Sequence, residues 1–403
     1  MSDKIYKERR KYFDRIQPFI NKNLVKIITG QRRVGKSYFL LQVQDFIRSC
    51  YPKDQVIFID KKLEDFADIT NYNELLKYVT NQYDRKKEKI FLFVDEIQEI
   101  KNFEFALGDL LARGIYDIYI TCSNAAILSG ELTAFLAGRY MEFQINSLSY
   151  QEFLFFHELE NNEESLMKYI KYGGLPYLIN LDLKDEIVYE YIKSIYNSIM
   201  LKEIVARYQI RNIFLLDNLS RFLAANLGSL LSARKISDFL KSQKLNYSPR
   251  VIINYLGYLT NSLFIHKVRR INLQSRKIFE VNEKYYFQDL GLRHSIIQYT
   301  DDDIIKVLEN LVYKHLVYCG YDVFVGQRGK TEIDFWCEKK GNSIYVQVVD
   351  LIPDPKTHER EFGTLINIKD NYPKYVVSMD PAAGEPYQGI FHIHILEFLN
   401  TDI

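Results

Sequence analysis

The sequence predicts an α/β protein whose first part is a mostly parallel sheet, and three observations predict it. Apolar runs at residues 24–28, 56–60, 90–95 and 118–121 have the length of buried strands. Stretches with helical apolar spacing follow the first two, at 35–50 and 73–84. Strands alternating with helices bury a parallel sheet under helices on both faces. Ile5, Phe13, Ile16, Phe19 and Ile20 recur at helical spacing and predict an entry helix over 5–20. Leu24 to Ile28 then reads as the first strand. The run at 90–95 is apolar up to its last residue, Asp95. A short strand near 141–145 closes this part around Ser147.

Composition bounds the rest. A chain of 403 residues exceeds one ordinary core and predicts two or three domains. It carries 53 basic and 52 acidic residues, a net charge of +1, so any nucleic-acid contact must come from a local patch. Glycine (18) and proline (9) are scarce beside tyrosine (31) and phenylalanine (26), which favours packed elements over linkers. Cys50, Cys122, Cys319 and Cys337 form no CxxC pair and have no histidine cluster, so they read as reduced thiols of a cytoplasmic protein. The charged start lacks the apolar core of a secretory signal, and no apolar run is long enough to span a membrane.

Between the first strand and the first long helix stands Gly30-Gln31-Arg32-Arg33-Val34-Gly35-Lys36-Ser37, a G-x-x-x-x-G-K-[ST] match. Such a loop curls its backbone N–H groups around a phosphate, and glycine permits the dihedrals. Lys36 would meet the β- and γ-phosphates, Ser37 would offer its hydroxyl to Mg²⁺, and the following helix aims its N-terminus at the anion. The binding set for ATP thus runs from Gly30 to Tyr38. Asp95 ends a buried strand, as the Mg²⁺-holding carboxylate of a P-loop NTPase does, and Glu96 beside it is placed as general base. Past the fourth strand, Asn124 or Ser123 could orient water, with a plain helix cap as the alternative for this pair. Arg139 could stabilise transition-state charge, in its own chain or in a neighbour's; the alternative is a surface arginine.

From 150 to 230 the pattern is helical. Stretches at 213–230, 233–242 and 248–262 then precede β-like runs at 262–270 and 277–281, which is the order of a winged helix. Ser248 and Pro249 form an N-cap and N1 pair opening the candidate recognition helix. Its face offers Arg250; the wing offers Lys267, Arg269, Arg270, Arg276 and Lys277. This stretch, 248–277, could contact the phosphates of duplex DNA, or be a solvated hairpin in an intramolecular or subunit contact. From about 303 the order helix, three strands, helix, strand marks a separate small α/β unit.

The set G-x-x-x-x-G-K-S, Val-Asp-Glu-Ile-Gln at 94–98, Thr-x-Ser-Asn at 121–124, Leu-x-Gly-Arg-Tyr at 136–140 and Leu-Ser-Tyr-x-Glu-Phe at 148–153 resembles a family of prokaryotic AAA+-like ATPases with an uncharacterised C-terminal domain. The likeness continues through Gly173-Gly174-Leu175-Pro176, through residues 284–293, which end in Asp289-x-Gly291-Leu292-Arg293, and through 309–313. It covers nearly the whole chain. One departure is Cys122, where relatives carry glycine. The resemblance implies a P-loop NTPase core (1–148), a helical lid (149–212), a winged helix (213–298) and a small, degenerate restriction-endonuclease-like α/β domain (299–403).

Nucleases of that class hold Mg²⁺ with carboxylates and need a lysine from a [DE]-x-K strand. Glu309 and Asp334 match the acids and Gln347 the first strand position, but two residues on stands Val349 rather than lysine. Lys330 or Lys339 would have to supply the cation, so the residues favour a scaffold or docking domain over a nuclease. The leading expectation is a Mg²⁺-dependent ATPase driving a DNA- or protein-binding C-terminal half, alone or as a homo-oligomer. A nucleotide-gated switch with little turnover is the alternative from another class, and an ATP-dependent nuclease a third.

Overall fold

The computed structural model describes residues 6–128, 135–136, 138–279, 281–352 and 355–403. The chain divides into two compact units. The first runs to Asn146 and also takes in Asn261–Leu263; the second holds Ser147–Thr260 and Phe264–Ile403.

In the first unit, α1 (Arg10–Ile16) leads to β1 (Val25–Thr29). Then come α2 (Lys36–Cys50), β2 (Gln55–Asp60), α3 (Tyr72–Asn81), β3 (Ile90–Asp95), α4 (Phe103–Ala112), β4 (Tyr116–Cys122) and β5 (Tyr140–Gln144). The five strands form one sheet in the order β2-β3-β4-β1-β5, and every neighbouring pair is parallel. All residues of β1, β3 and β4 are buried, as strands covered on both faces must be. Strand order reverses beside β1, so the carboxyl ends of β1, β3 and β4 form the crevice where open α/β sheets take ligands. At the opposite end, Lys26 carries a charge into buried β1. Its ammonium pairs with Asp117 and also donates to the carbonyls of Lys22 (2.8 Å) and Leu24 (3.0 Å). Asp117 in turn accepts from Asn21 N and the Tyr119 hydroxyl, each at 2.8 Å, so the buried pair is fully satisfied.

Two elements differ from expectation. The entry helix is shorter, because Pro18 turns residues 17–19 into a 3₁₀ segment after Ile16. Helix α4 starts after Asn102, a residue type that favours N-caps, yet Asn102 is left-handed (φ 56°) and its side chain caps nothing.

The second unit opens with α5 (Tyr150–His157), started by a capping box in which Ser149 and Glu152 bond each other's backbone N–H. The Leu-Ser-Tyr-x-Glu-Phe segment is therefore a helix start. Helix α6 (Glu163–Tyr172) ends at Gly173, whose φ is +75°. A Cβ on Gly173 would stand 2.2 Å from Asp289 Oδ1, and one on Gly291 2.2 Å from the Tyr172 carbonyl oxygen. Gly174 N donates to Asp289 Oδ2 at 2.8 Å. The Gly-Gly and Asp-x-Gly-Leu-Arg segments are thus two halves of one joint, with α6 docked on α11 (Leu290–Ile296). Arg293, fully buried, closes the joint by bonding the Ala224 carbonyl (3.1 Å) and Asp303 (2.8 Å).

Between them run α7 (Asp185–Ser198), a π-helical segment (Ile199–Ala206), α8 (Ile213–Ala225), α9 (Ala233–Ser242) and α10 (Pro249–Asn261). The three helices α8 to α10 are followed by β6 (Ile265–Val268), but its antiparallel partner is β8 (Lys284–Phe287), not the run at 277–281. That run makes only a single bridge, Ile271 to Ile278, among the described residues. Strand β7 (Arg270–Asn272) instead joins the C-terminal sheet, parallel to β9 (Asp322–Arg328). Strands β10 (Thr331–Lys339), β11 (Asn342–Val348), β12 (Lys374–Ser378) and β13 (Phe391–His394) complete the order β13-β12-β11-β10-β9-β7, with α12 (Ile304–Tyr318) and α13 (Pro355–Ile366) packed on it. One apolar core runs continuously from Leu148 to Leu399. No helix among the described residues is long and apolar enough to cross a membrane.

Candidate functional site

The loop from Gly30 to Gly35 joins β1 to α2, and both glycines are required. A Cβ on Gly30 would lie 2.4 Å from the Ile145 carbonyl oxygen, just past β5. Gly35 caps α2 in the left-handed region (φ 99°, ψ 17°), and Arg33, exposed, is left-handed too (φ 74°). The loop therefore curls back on the start of α2, whose first amides have no intrahelical partner. Lys36 is buried there. Its ammonium donates to the carbonyls of Gly30 (2.9 Å) and Gln31 (3.1 Å), inside the loop rather than in solvent. Val34 and Gln31 are fully buried, and the Gln31 side-chain amide has no hydrogen-bond partner among the described residues. Arg32 is half-buried; Tyr38, in the first turn of α2, is 54% exposed.

Asp95 stands at the end of β3, fully buried. Its Oδ2 accepts from Ser37 Oγ at 2.8 Å and its Oδ1 from Thr121 Oγ1 at 2.6 Å. Thr121 also accepts from Glu96 N at 2.8 Å, so one β4 hydroxyl fixes both acidic residues. Glu96 is left-handed (φ 59°, ψ 54°), an uncommon conformation for a residue with a Cβ. Burial works to raise its carboxyl, but the charges of Lys36 and Lys62, with hydrogen bonds from Gln98 and Ser123, outweigh it and hold it at about 2. Its Oε2 accepts from Ser123 Oγ (2.9 Å) and Gln98 Nε2 (2.5 Å).

Of the two polar residues after β4, the structure brings Ser123 to Glu96. The Asn124 side chain accepts from Ala126 N (2.9 Å) and caps the short 3₁₀ turn Ala125–Leu128. The cap alternative thus describes Asn124. Cys122, fully buried, accepts through Sγ from Asn124 N at 3.3 Å.

Arg139 is not brought to the loop, which corrects its assignment as a finger or sensor within its own chain. It immediately precedes β5, and Val25 N, at the start of β1, bonds its carbonyl oxygen (3.1 Å). Five parallel residue pairs separate that end from Thr29 and the loop, about 16 Å at strand rise. Its side chain is exposed and donates to the Leu136 carbonyl (3.4 Å).

Sequence reasoning missed two cations at the site. Lys62, after β2, donates to Ser37 Oγ (2.7 Å), contacts Asp95 Oδ2 and lies 3.7 Å from Glu96 Oε1. Arg9, buried before α1, donates to the carbonyls of Val34 (3.1 Å) and Asn146 (2.9 Å), and its guanidinium lies 4.5 Å from the centroid of the Tyr12 ring. No motif marks either residue. A lysine two positions past a strand that ends in Asp60 was the only available signal for Lys62.

A second polar cluster lies in the second unit. Glu309 on α12, and Glu332 and Asp334 on β10, converge on the buried ammonium of Lys284, from β8, at 2.6, 2.9 and 3.3 Å. Neither Lys330 nor Lys339 holds this place; Lys339 reaches toward the Ile403 carbonyl instead (3.5 Å). Burial pushes the Glu309 carboxyl up to about 7 against the pull of Lys284. Asp334 accepts from Val348 N (2.9 Å), and Gln347 bridges Asp334 N (3.3 Å) to Glu361 (3.2 Å). Among the described residues no group of three or more His, Cys, Asp or Glu side chains is arranged to hold a metal ion.

The basic hairpin is largely engaged within the chain. Arg276 stacks on Trp336 (4.4 Å) and Arg270 on Phe279 (4.7 Å), while Lys267 pairs with Glu283 (3.5 Å). Arg250, Lys267, Arg269, Arg276 and Lys277 are all exposed.

Comparison with known proteins finds relatives over most of the chain. A family profile described as an AAA domain matches residues 22–154, and one for a domain of unknown function (DUF8612) matches 163–303. An uncharacterised protein of Haemophilus influenzae is 32% identical over 398 residues, covering 97% of this chain and 98% of its own length. The uncharacterised protein MJ1544 of Methanocaldococcus jannaschii is 31% identical over 334 residues, covering 78% of this chain and 72% of its own. Among solved structures, the Aeropyrum pernix ORC1 protein in complex with DNA is similar at a TM-score of 0.34 and 9% identity, over 72% of this chain and 92% of that one. AMPPCP-bound DnaA from Aquifex aeolicus is similar at 0.26 and 15%, over 56% and 72%.

Proposed function

Because the chain belongs to the family of prokaryotic AAA-domain P-loop proteins that includes the Haemophilus influenzae and Methanocaldococcus jannaschii relatives, we propose that its first unit binds Mg²⁺·ATP and hydrolyses it to drive the C-terminal half. One observation carries the reading: Lys36, Ser37, Asp95 and Glu96 converge at the carboxyl ends of β1 and β3, around a loop that only glycine can form. The residues fit the nucleotide. A buried ammonium sits inside the loop, and the buried Gln31 side-chain amide has no hydrogen-bond partner among the described residues. They also fit Mg²⁺, which takes one or two protein oxygens besides phosphates and water, here Ser37 Oγ and Asp95.

Bound there, the metal would neutralise charge developing on the phosphates. The chain does the rest. Loop amides and the start of α2 hold the phosphates, and Lys36 turns its ammonium from the carbonyls of Gly30 and Gln31 to them. Thr121 keeps Asp95 and the Glu96 backbone in register. Glu96 accepts the proton of the attacking water, and Ser123, with Gln98, aims its carboxylate. Arg139 is assigned to a neighbouring copy's nucleotide, since its own lies a strand length away. The Arg9 guanidinium ties Val34 in the cradle to Asn146, the last residue before the second unit, and supports transmission of the nucleotide state along the chain.

For the output, the exposed cations of residues 248–277 available to duplex DNA are Arg250, Arg269 and Lys277, with Lys267 and Arg276 available only on giving up their contacts with Glu283 and Trp336. Lys284 supports a scaffold rather than nuclease reading, because its ammonium already neutralises the acids that a metal would need. The test is nucleotide binding and turnover. Lys36→Ala should abolish binding of a fluorescent ATP analogue. Normal binding by that variant would remove the loop from the role.

A further inference from the structure

Resting on that reading, we infer that Lys62 is a built-in surrogate for the metal: its ammonium holds the Ser37–Asp95 pair until a nucleotide brings the divalent cation in. Three side chains from two elements converge on this single nitrogen. Ser37 Oγ, from the first turn of α2, lies at 2.7 Å; Asp95 Oδ2, at the end of β3, is in direct contact; Glu96 Oε1 lies at 3.7 Å. Ser37 and Asp95 also bond each other at 2.8 Å, so the ammonium caps a preformed pair of oxygens. The turn carrying Lys62 is fixed by its own N–H on Asp60 Oδ1 at 2.9 Å. Yet the side chain is 47% exposed, which leaves it room to swing outward about that fixed backbone.

The consequence follows from charge. The ammonium stands against the two oxygens a divalent cation would take, and the two cations repel each other at that distance. With Lys62 in place, bare Mg²⁺ meets a site that is already neutralised. ATP changes the balance, because its phosphates supply several new negative charges and further oxygens. Metal and nucleotide then enter together, and Lys62 moves to solvent or to the phosphates. The residue thereby makes metal binding conditional on nucleotide. It acts through Ser37 and Asp95 and is a positioning residue.

The test uses the full chain and Mn²⁺ as probe, with free metal read by electron paramagnetic resonance. Without nucleotide, Lys62→Met should bind Mn²⁺ at least tenfold more tightly than wild type, and Lys62→Arg should resemble wild type. In an Asp95→Asn background the Lys62→Met gain should vanish, since the shared carboxylate is gone. With EDTA present, Lys62→Met should bind ATP several-fold more weakly than wild type, having lost a cation that can meet the phosphates. Equal Mn²⁺ affinity of wild type and a folded Lys62→Met would overturn the inference. Failure of the nucleotide reading looks different: wild type would then bind no ATP with or without metal.

Discussion

Replacing Lys284 with methionine tests how the second unit is held together. The substitution keeps most of the stem and removes only the charge. That charge faces Glu309, Glu332 and Asp334 at 2.6, 2.9 and 3.3 Å, from two elements far apart in sequence. Removing one partner of a buried ion pair leaves an uncompensated charge and costs about 3–5 kcal/mol. Glu309 has an escape, because burial already pushes its carboxyl up to about 7, so it takes up a proton as the pH falls. The loss should therefore be largest near pH 8, about 3 kcal/mol or more, and smaller near pH 6. The assay is urea unfolding followed by the fluorescence of Trp336, the chain's single tryptophan, which lies two residues from Asp334 on β10. Lys284→Met/Glu309→Gln should recover part of the loss. A loss below about 1 kcal/mol at pH 8, or no recovery in the double variant, would refute the view of Lys284 as the internal counter-ion.

Further outcomes follow from the same structure. Burial holds the His294 imidazole down at about 3, with Nδ1 3.1 Å from the Lys171 carbonyl, so the folded chain keeps it neutral while the unfolded chain takes up a proton below about 6.5. Its contribution is complete above that pH and falls toward pH 3, reaching a loss of about 2 kcal/mol at pH 5; a His294→Gln variant should flatten that part of the stability–pH curve. Gly30→Ala should abolish ATP binding, because its Cβ meets the Ile145 carbonyl at 2.4 Å, and equilibrium dialysis with labelled nucleotide reads it. Gly173→Ala should cost 2 kcal/mol or more, roughly, since it combines a left-handed backbone with a 2.2 Å clash on Asp289. Arg9→Lys should leave ATP binding within a few-fold of wild type but weaken the protection that ATP gives residues after Asn146 against hydrogen exchange.

The elements that carry the candidate site were legible because their signals are local. Residues 30–37 form a contiguous motif, and Asp95 ends an apolar run whose burial on both faces forces its carboxylate to the sheet's edge. What was not legible depends on side-chain reach between distant segments. Lys62 meets Ser37 across two elements, Arg9 meets Asn146 across the whole first unit, and Lys284 supplies from β8 a cation sought near β10 and β11. The choice between Ser123 and Asn124 rested on which way each points after β4, which composition cannot fix. Arg139 teaches a different lesson. A residue that opens a parallel strand lies at the end of the sheet away from the loop that follows its neighbour β1, so its distance from the cradle was implicit in the strand at 141–145. The hairpin was misplaced because Lys284 to Phe287 is short and fully buried, and β6 pairs with it across an intervening excursion to the C-terminal sheet.

The most direct test of an ATPase centred on Glu96 is steady-state hydrolysis by wild type and Glu96→Gln, each with and without duplex DNA. Wild type should turn ATP over, and the variant should still bind Mg²⁺·ATP but lose turnover, with any stimulation by DNA also lost. Undiminished hydrolysis by Glu96→Gln would contradict it, as would a wild type that binds ATP and turns none over.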